Sequence, residues 1–158
     1  MGMEASYTSK TIQKTVGLTR QKIDYLILKG AVSPSNDSEG TGNYRTFSYS
    51  NLIEFKLATQ LLGQIKISSM KRVKFIIENT KECAEEYFEK PSKGSDSIIE
   101  PKLVIIRFPT TTNQEGNIVN VRNLEETFSL IRRQHAEGRP FFIISLDAIR
   151  AEIIESLK

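Results

Sequence analysis

Four consecutive polar residues, Thr19, Arg20, Gln21 and Lys22, stand at the start of an amphipathic run. Arginine can form two hydrogen bonds with guanine, glutamine can form two with adenine, and lysine usually contacts a phosphate. If these residues form the first turn of a helix, its unpaired amides and its dipole also attract phosphate. Tyr25 follows, where its hydroxyl could donate to a phosphate or its ring could pack on a neighbouring hairpin. The pattern predicts a surface that reads DNA.

A second cationic segment, Gly42 to Phe47 (GNYRTF), has the composition of a β-hairpin tip. It supplies Asn43, Tyr44 and Arg45 as further candidate contacts to nucleic acid. A cationic helix start beside a cationic hairpin matches a major groove and its flanking phosphates. The alternative for the helix alone is a solvated face with ordinary capping. The hairpin and the glycine positions favour DNA binding.

Residues typical of catalysis or metal binding are sparse. His135 is the only histidine and lies in a predicted last helical turn, where its cation would suit the helix dipole. Cys83 is the only cysteine, which excludes a disulfide framework, and glutamates nearby do not favour a reactive thiolate. The Gly40–Gly42 segment lacks the lysine of a phosphate-binding loop. We predict no enzymatic activity, no catalytic residue, no metal site and no cofactor. Three arginines fit a solvated helix end better than an anion site: Arg132, Arg133 and Arg139.

The net charge of +3 is unevenly distributed. Residues 1–75 hold 11 Lys/Arg and 5 Asp/Glu, whereas residues 76–158 hold 11 and 14. This asymmetry places a surface suited to a polyanion on the first half. A hydrophobic content of 39% is ordinary for a soluble globular protein. Because no apolar run could span a bilayer and no secretory signal is recognisable, we expect a cytoplasmic, bacterial protein.

The first half has the signals of two short helices and a hairpin. Ser9 is a candidate N-cap for a helix to about Val16, and Gly17 would permit a tight turn with positive φ. Thr19 is the candidate N-cap of the next helix, which Gly30 would end. Residues 31–33 are compatible with extended structure, residues 35–43 with a polar loop, and residues 44–47 with a strand. Helix, turn, helix and hairpin is the order of a winged helix-turn-helix.

Two longer helices are predicted next. One is capped by Ser48 or Ser50 and runs through Leu62, and another begins near Ser69 and could continue to Glu89. A stripe of residues spaced by three and four runs along the second helix: Met70, Val73, Ile77, Thr80, Ala84 and Tyr87. The stripe could pack on the chain's own domain or serve self-association, and the first alternative is favoured. Residues 90–101 have the composition of a linker.

The remaining segment predicts a compact ββαβα module, so the expected fold class is α+β. Strands are expected at 103–108, 118–121 and 141–146. Asn123 should cap a helix that presents Leu124, Phe128 and Ile131 and ends at Gly138, and Asp147 should cap a last helix. The helix's Glu126 completes the capping pattern. A module of fewer than sixty residues buries only a marginal hydrophobic core. We therefore expect it to dock on the first half of the chain or on a second copy of itself.

Residues 6–77 resemble the winged helix-turn-helix regulators of the mercury-resistance type, the MerR family. The similarity rests on the Gly17-Leu18-Thr19 turn, the Gly30-Ala31-Val32 stop with Pro34, and a Tyr44-Arg45 wing. It also includes Tyr7-Thr8, Arg20, Tyr25, Phe47 and the Ser48 cap. The resemblance implies that Arg20 and its neighbours contact the major groove, while Tyr25, Tyr44 and Arg45 contact the backbone. It further implies a homodimer on a near-palindromic operator and control of transcription, with RNA polymerase as a further candidate partner.

The chain departs from that family at several positions. Asp24 stands where a basic residue is usual, Leu26 where a second aromatic is usual, and Gln13 where a small residue is usual. Asp24 would lose a phosphate contact and could repel the DNA backbone. The long dimerising helix and the cysteine-bearing metal loop are missing, so metal sensing does not follow from the resemblance.

We therefore predict three segments. Residues 1–77 form the DNA-binding domain, residues 78–101 a helical extension and linker, and residues 102–158 a small domain for dimerisation or partner contact. The predicted function is a sequence-specific transcription regulator, and no residue set identifies a small-molecule effector. The alternatives are a protein-interaction adaptor that keeps the winged fold and a DNA-organising protein without sequence preference.

Overall fold

The computed structural model describes residues 6–36, 44–91, 100–107, 118–136, 138 and 141–158. Within these ranges the chain is mixed helix and sheet, which is compatible with the predicted α+β class. The helices are α1 (Ser9–Val16), α2 (Arg20–Leu28), α3 (Tyr49–Gly63), α4 (Met70–Cys83), α5 (Leu124–Ala136) and α6 (Leu146–Ser156). The strands are β1 (Lys102–Arg107), β2 (Ile118–Asn123) and β3 (Phe141–Ser145). Across the described ranges no helix combines the length and apolarity needed to cross a bilayer.

The first two helices form where local chemistry predicts them, with one correction. Thr8, not Ser9, caps α1: its backbone is extended, and its hydroxyl accepts from the Thr11 amide at 3.3 Å. Gly17 adopts the left-handed conformation at φ 77°, which glycine adopts without the steric cost of a side chain. Thr19 caps α2 as predicted, because its hydroxyl accepts from the Lys22 amide.

The segment after α2 forms less regular structure than the sequence suggests. Gly30 ends the helix with φ 70°, as predicted, but residues 31–33 form no strand, because residues 31 and 32 lie in a bend. The base of the expected hairpin is a single antiparallel bridge between Asn36 and Thr46. A second bridge joins Tyr7 to Phe47 and ties this base to the start of the chain's described part. The predicted tip, including Asn43, lies outside the described residues.

Helix α3 begins at a reciprocal capping box between Ser48 and Asn51. Helix α4 begins after Ser69, as predicted, but ends at Cys83 instead of reaching Glu89. Ala84 leaves the helical conformation, and a single 3-10 turn follows at Glu85–Tyr87. The predicted stripe is mostly buried in the chain's own core, with Met70 packed at its edge: Val73, Ile77, Thr80, Ala84 and Tyr87. The favoured alternative is therefore confirmed.

The C-terminal part follows the predicted ββαβα order. Its antiparallel sheet has the order β2-β1-β3, and Asn123 caps α5 by accepting from the Glu126 amide at 2.9 Å. One expectation is wrong. Ser145, and not Asp147, caps α6, because strand β3 runs directly into the helix. Phe128 is 60% exposed, since the neighbouring Thr127 occupies the buried position.

The sheet and α6 pack on the N-terminal helices around one continuous core. Val104 and Ile106 of β1, Ile144 of β3 and Ile149 of α6 share a buried cluster with the side chains of α1 to α4. The small module thus obtains a larger core by docking on the first half, which was one of the two expected solutions. The proposed three-segment division remains a prediction.

Candidate nucleic-acid interface

The first turn of α2 presents its polar side chains to solvent. Ile23 and Leu26 are buried and anchor the inner side of the helix to the core. With that side anchored, Arg20, Gln21 and Lys22 are all exposed, and the Arg20 side chain retains 81% of its accessible surface. The helix start therefore combines exposed cationic side chains with backbone amides that can attract an anion.

Two tyrosines lie on the outside of this region. Tyr25 is 47% exposed, and the Lys29 ammonium lies 5.8 Å from the centre of its ring, within the range of a cation–π contact. Tyr44, at the base of the hairpin, is 86% exposed. An exposed aromatic ring with a hydroxyl can pack on a sugar and donate to a phosphate.

One open groove joins α1, α2 and the hairpin base. Arg20 and Arg45 both line it, so the helix start and the hairpin base share one side of the protein. The groove is lined by Thr8, Ser9, Lys10, Gln13, Arg20, Asp24, Ile27, Leu28, Tyr44 and Arg45. The exposed predicted residues Gln21, Lys22 and Tyr25 are not among its described lining. They lie on the rest of the helix surface.

Asp24 connects the two arginines of the groove. Its Oδ1 accepts a hydrogen bond from Arg45 Nη1 at 2.9 Å, and its Oδ2 lies 4.0 Å from Arg20 Nε. From the sequence alone, Asp24 is expected only to lose a phosphate contact and to repel the DNA backbone. The i,i+4 spacing of Arg20 and Asp24 indicates from the sequence that these two side chains lie close together. The contact with Arg45, 21 residues away, had no local signal.

A buried polar cluster, the Asn51–Glu54 cluster, supports the hairpin base from behind. Asn51 Nδ2 donates to the Ser33 carbonyl oxygen at 2.8 Å and to Glu54 Oε2 at 3.0 Å. Ser35 donates to the Thr46 carbonyl oxygen across the hairpin base. Glu54 has 8% side-chain exposure and accepts from the Lys81 ammonium at 2.8 Å. Helix α3 thus links the hairpin base to α4 through hydrogen bonds that sequence reasoning did not identify.

The clearest titration shift lies at the junction with the C-terminal part. Burial, and then a hydrogen bond with the Asp147 carboxylate, raise the pKa of the Tyr87 hydroxyl. The same hydroxyl lies 2.7 Å from the Glu100 carbonyl oxygen and accepts from the Lys102 amide. These partners are backbone groups and a neighbouring carboxylate, so the arrangement joins three segments of chain.

Comparison with models of known protein families and with curated proteins finds no match for this chain. Among the described residues, no group of three or more His, Cys, Asp and Glu could hold a metal ion.

Proposed function

We propose that this protein is a sequence-specific DNA-binding regulator of transcription. In this proposal its first 77 residues form a winged helix-turn-helix of the MerR type. The observation that carries the proposal is that Arg20 and Arg45 line one groove, with Arg20 almost fully exposed. Had Arg20 been buried, or had the two arginines lain on opposite sides, a single duplex could not engage both.

The proposed mechanism assigns a separate task to each element. Helix α2 enters the major groove, where Arg20 and Gln21 read base edges and Lys22 neutralises a phosphate. The hairpin base follows the adjoining backbone, where Tyr44 and Arg45 contact phosphate and sugar. Thr19 caps the helix and leaves further first-turn amides for a phosphate.

A homodimer on a near-palindromic operator fits this mechanism. A single short helix reads few base pairs. A second copy related by a two-fold axis would double the number of base contacts and therefore the free energy of discrimination between sequences. The C-terminal α/β part is the proposed surface for dimerisation or for a partner such as RNA polymerase. Any small-molecule effector remains unidentified.

Asp24 favours a second candidate function, a protein-interaction adaptor. Its carboxylate offsets part of the cationic charge on the groove, and this would suit a protein surface better than a polyanion. The adaptor should form no discrete complex with duplex DNA even at low salt. A DNA-organising protein, in contrast, should bind every duplex equally.

The test selects duplexes from a random pool with the full chain and measures affinity for the enriched duplex and for a scrambled one. A regulator should prefer the enriched duplex by at least about 10³-fold. Its affinity should fall steeply with salt, because Lys and Arg contacts release counterions. Arg72→Ala, which removes an exposed arginine of α4 that does not line the groove, is the matched control for Arg20→Ala and should leave the preference unchanged. Failure to enrich any sequence, with binding absent at low salt, would support the adaptor.

A further inference from the structure

We propose that Asp24 is a positioning residue of the DNA-reading surface, which holds Arg45 of the hairpin base in a fixed orientation relative to α2. This inference rests on the proposed function and goes beyond it, since it assigns specificity to a carboxylate that makes no contact with DNA. The sequence alone indicates the opposite role for Asp24, that of a residue which weakens DNA binding.

The geometry carries the inference. Asp24 uses Oδ1 to accept from Arg45 at 2.9 Å, while Oδ2 faces Arg20 at the longer distance of 4.0 Å. The two oxygens face different arginines, but only the contact with Arg45 is a hydrogen bond. The closer contact makes Arg45 the main object of this positioning.

The contact also joins two separate parts of the chain. Asp24 lies in the middle of α2, whereas Arg45 lies just before the bridge residues Thr46 and Phe47. Those bridges attach the hairpin base to Asn36 and Tyr7 through backbone hydrogen bonds. The Asp24 carboxylate adds a side-chain attachment to α2 itself and so sets the spacing between the two DNA-contacting elements.

Because the Asp24–Arg45 ion pair is exposed, its effect on side-chain orientation can be measured apart from any effect on folding. The Asp24 and Arg45 side chains are 53% and 39% exposed, and exposed ion pairs add little to the stability of a fold. Removing Asp24 should therefore leave the core intact. What it should change is the entropy that Arg45 loses when DNA binds, because a long side chain already held in place has less freedom to lose.

Removing the charge of Asp24 should change the overall affinity for DNA and the discrimination between duplexes in opposite directions. Removing the carboxylate raises the net charge of the groove by one, which should strengthen binding to any duplex at low salt. If Asp24 also positions Arg45, the same change should weaken discrimination between duplexes, because a mobile Arg45 no longer fixes the register in which α2 meets the base edges. A carboxylate that only repels phosphate would instead alter both affinities by the same factor.

The experiment compares Asp24→Ala and Asp24→Asn with the wild-type chain. Asp24→Asn keeps an oxygen that can accept from Arg45 but removes the charge. Glu78→Ala is the matched control, because it removes a carboxylate from an exposed ion pair with Lys74 on α4. Affinities are measured by fluorescence anisotropy for the duplex enriched by the wild-type chain and for its scrambled version. Trypsin cleavage after Arg45 is measured without DNA.

We expect Asp24→Ala to lower the ratio of specific to non-specific affinity by about 3- to 10-fold. The Asn variant should lose less, and Glu78→Ala should leave the ratio unchanged. Trypsin should cut the Ala variant faster after Arg45, because the Arg45 side chain has lost its hydrogen bond to Asp24 of α2. An unchanged ratio together with unchanged cleavage would overturn the inference. If the wild-type chain enriches no duplex, the proposed function fails, and the cleavage rate alone decides whether Asp24 positions Arg45.

Discussion

Replacing Asn51 with aspartate should make the stability of this fold depend on pH. The Asn51 side chain is buried, and its amide group donates to Glu54 Oε2 at 3.0 Å and to the Ser33 carbonyl oxygen at 2.8 Å. Asn51→Asp preserves the shape of the side chain and the oxygen that accepts from the Ser48 amide. It also places a second negatively charged oxygen against a buried carboxylate.

The magnitude follows from that contact. Two carboxylates so close do not readily both ionise, so the pKa of one of them rises in the folded variant. A rise of about two units corresponds to about 2.7 kcal/mol at neutral pH. Loss of the hydrogen bond to Ser33 adds about 1 kcal/mol. Because the folded variant then binds more protons than its unfolded chain, the stability that it loses relative to the wild-type chain is smallest below about pH 4. That loss grows as the pH rises through the raised pKa of the folded state.

Urea unfolding followed by circular dichroism, at about pH 5 and about pH 8, measures this effect. Asn51→Ala creates no new carboxylate and should lose about 1–3 kcal/mol at both pH values. Asn123→Asp is the matched control, because Asn123 also accepts a hydrogen bond from a backbone amide at the start of a helix. An aspartate caps a helix equally well. Equal losses for Asn51→Asp at both pH values would refute the carboxylate contact as the cause.

Three further predictions concern the first turn of α2 and the junction with the C-terminal part. Arg20→Ala should weaken binding to the enriched duplex by about 1–3 kcal/mol and relax the sequence preference at one base pair. Equal losses of affinity on all duplexes would instead identify Arg20 as a phosphate contact. Lys22→Ala should weaken binding to all duplexes and reduce the magnitude of the slope of log affinity against log salt by about 1 per protomer. An unchanged slope would contradict a phosphate contact for Lys22. Tyr87→Phe should lower the free energy of unfolding in urea by about 1–3 kcal/mol, because the hydroxyl lies 3.0 Å from an Asp147 oxygen. Because burial and the Asp147 contact raise the pKa of Tyr87, this stabilisation should be constant below about pH 10 and decline only above it, so a difference that changes between about pH 6 and about pH 9 would contradict it.

Most element boundaries could be predicted because they depend on neighbours in sequence. Gly17 and Gly30 occupy the left-handed conformations that the sequence predicts, and Thr19 and Asn123 cap the helices they precede. Errors of one or two residues arose where two capping residues compete. Thr8 caps α1 in place of its neighbour, because backbone conformation and not side-chain type decides which hydroxyl meets the free amide.

The candidate site could be predicted only in part. The exposed Arg20, Gln21 and Lys22 follow from the helical repeat, since burying Ile23 and Leu26 turns the polar residues outward. Tyr44 and Arg45 were predicted as hairpin residues, but their position beside α2 depends on bridges between distant segments.

The sequence by itself determined where this chain turns, which helices begin at capping residues, and which turn carries the exposed cations. Each of these depends on residues within one or two helical turns. Only the tertiary structure decided that Asp24 meets Arg45, that Glu54 meets Lys81, and that Tyr87 meets Asp147. Those partners lie 21, 27 and 60 residues apart, so no local pattern encodes them. The packing of the helices and the sheet around one core brings them together.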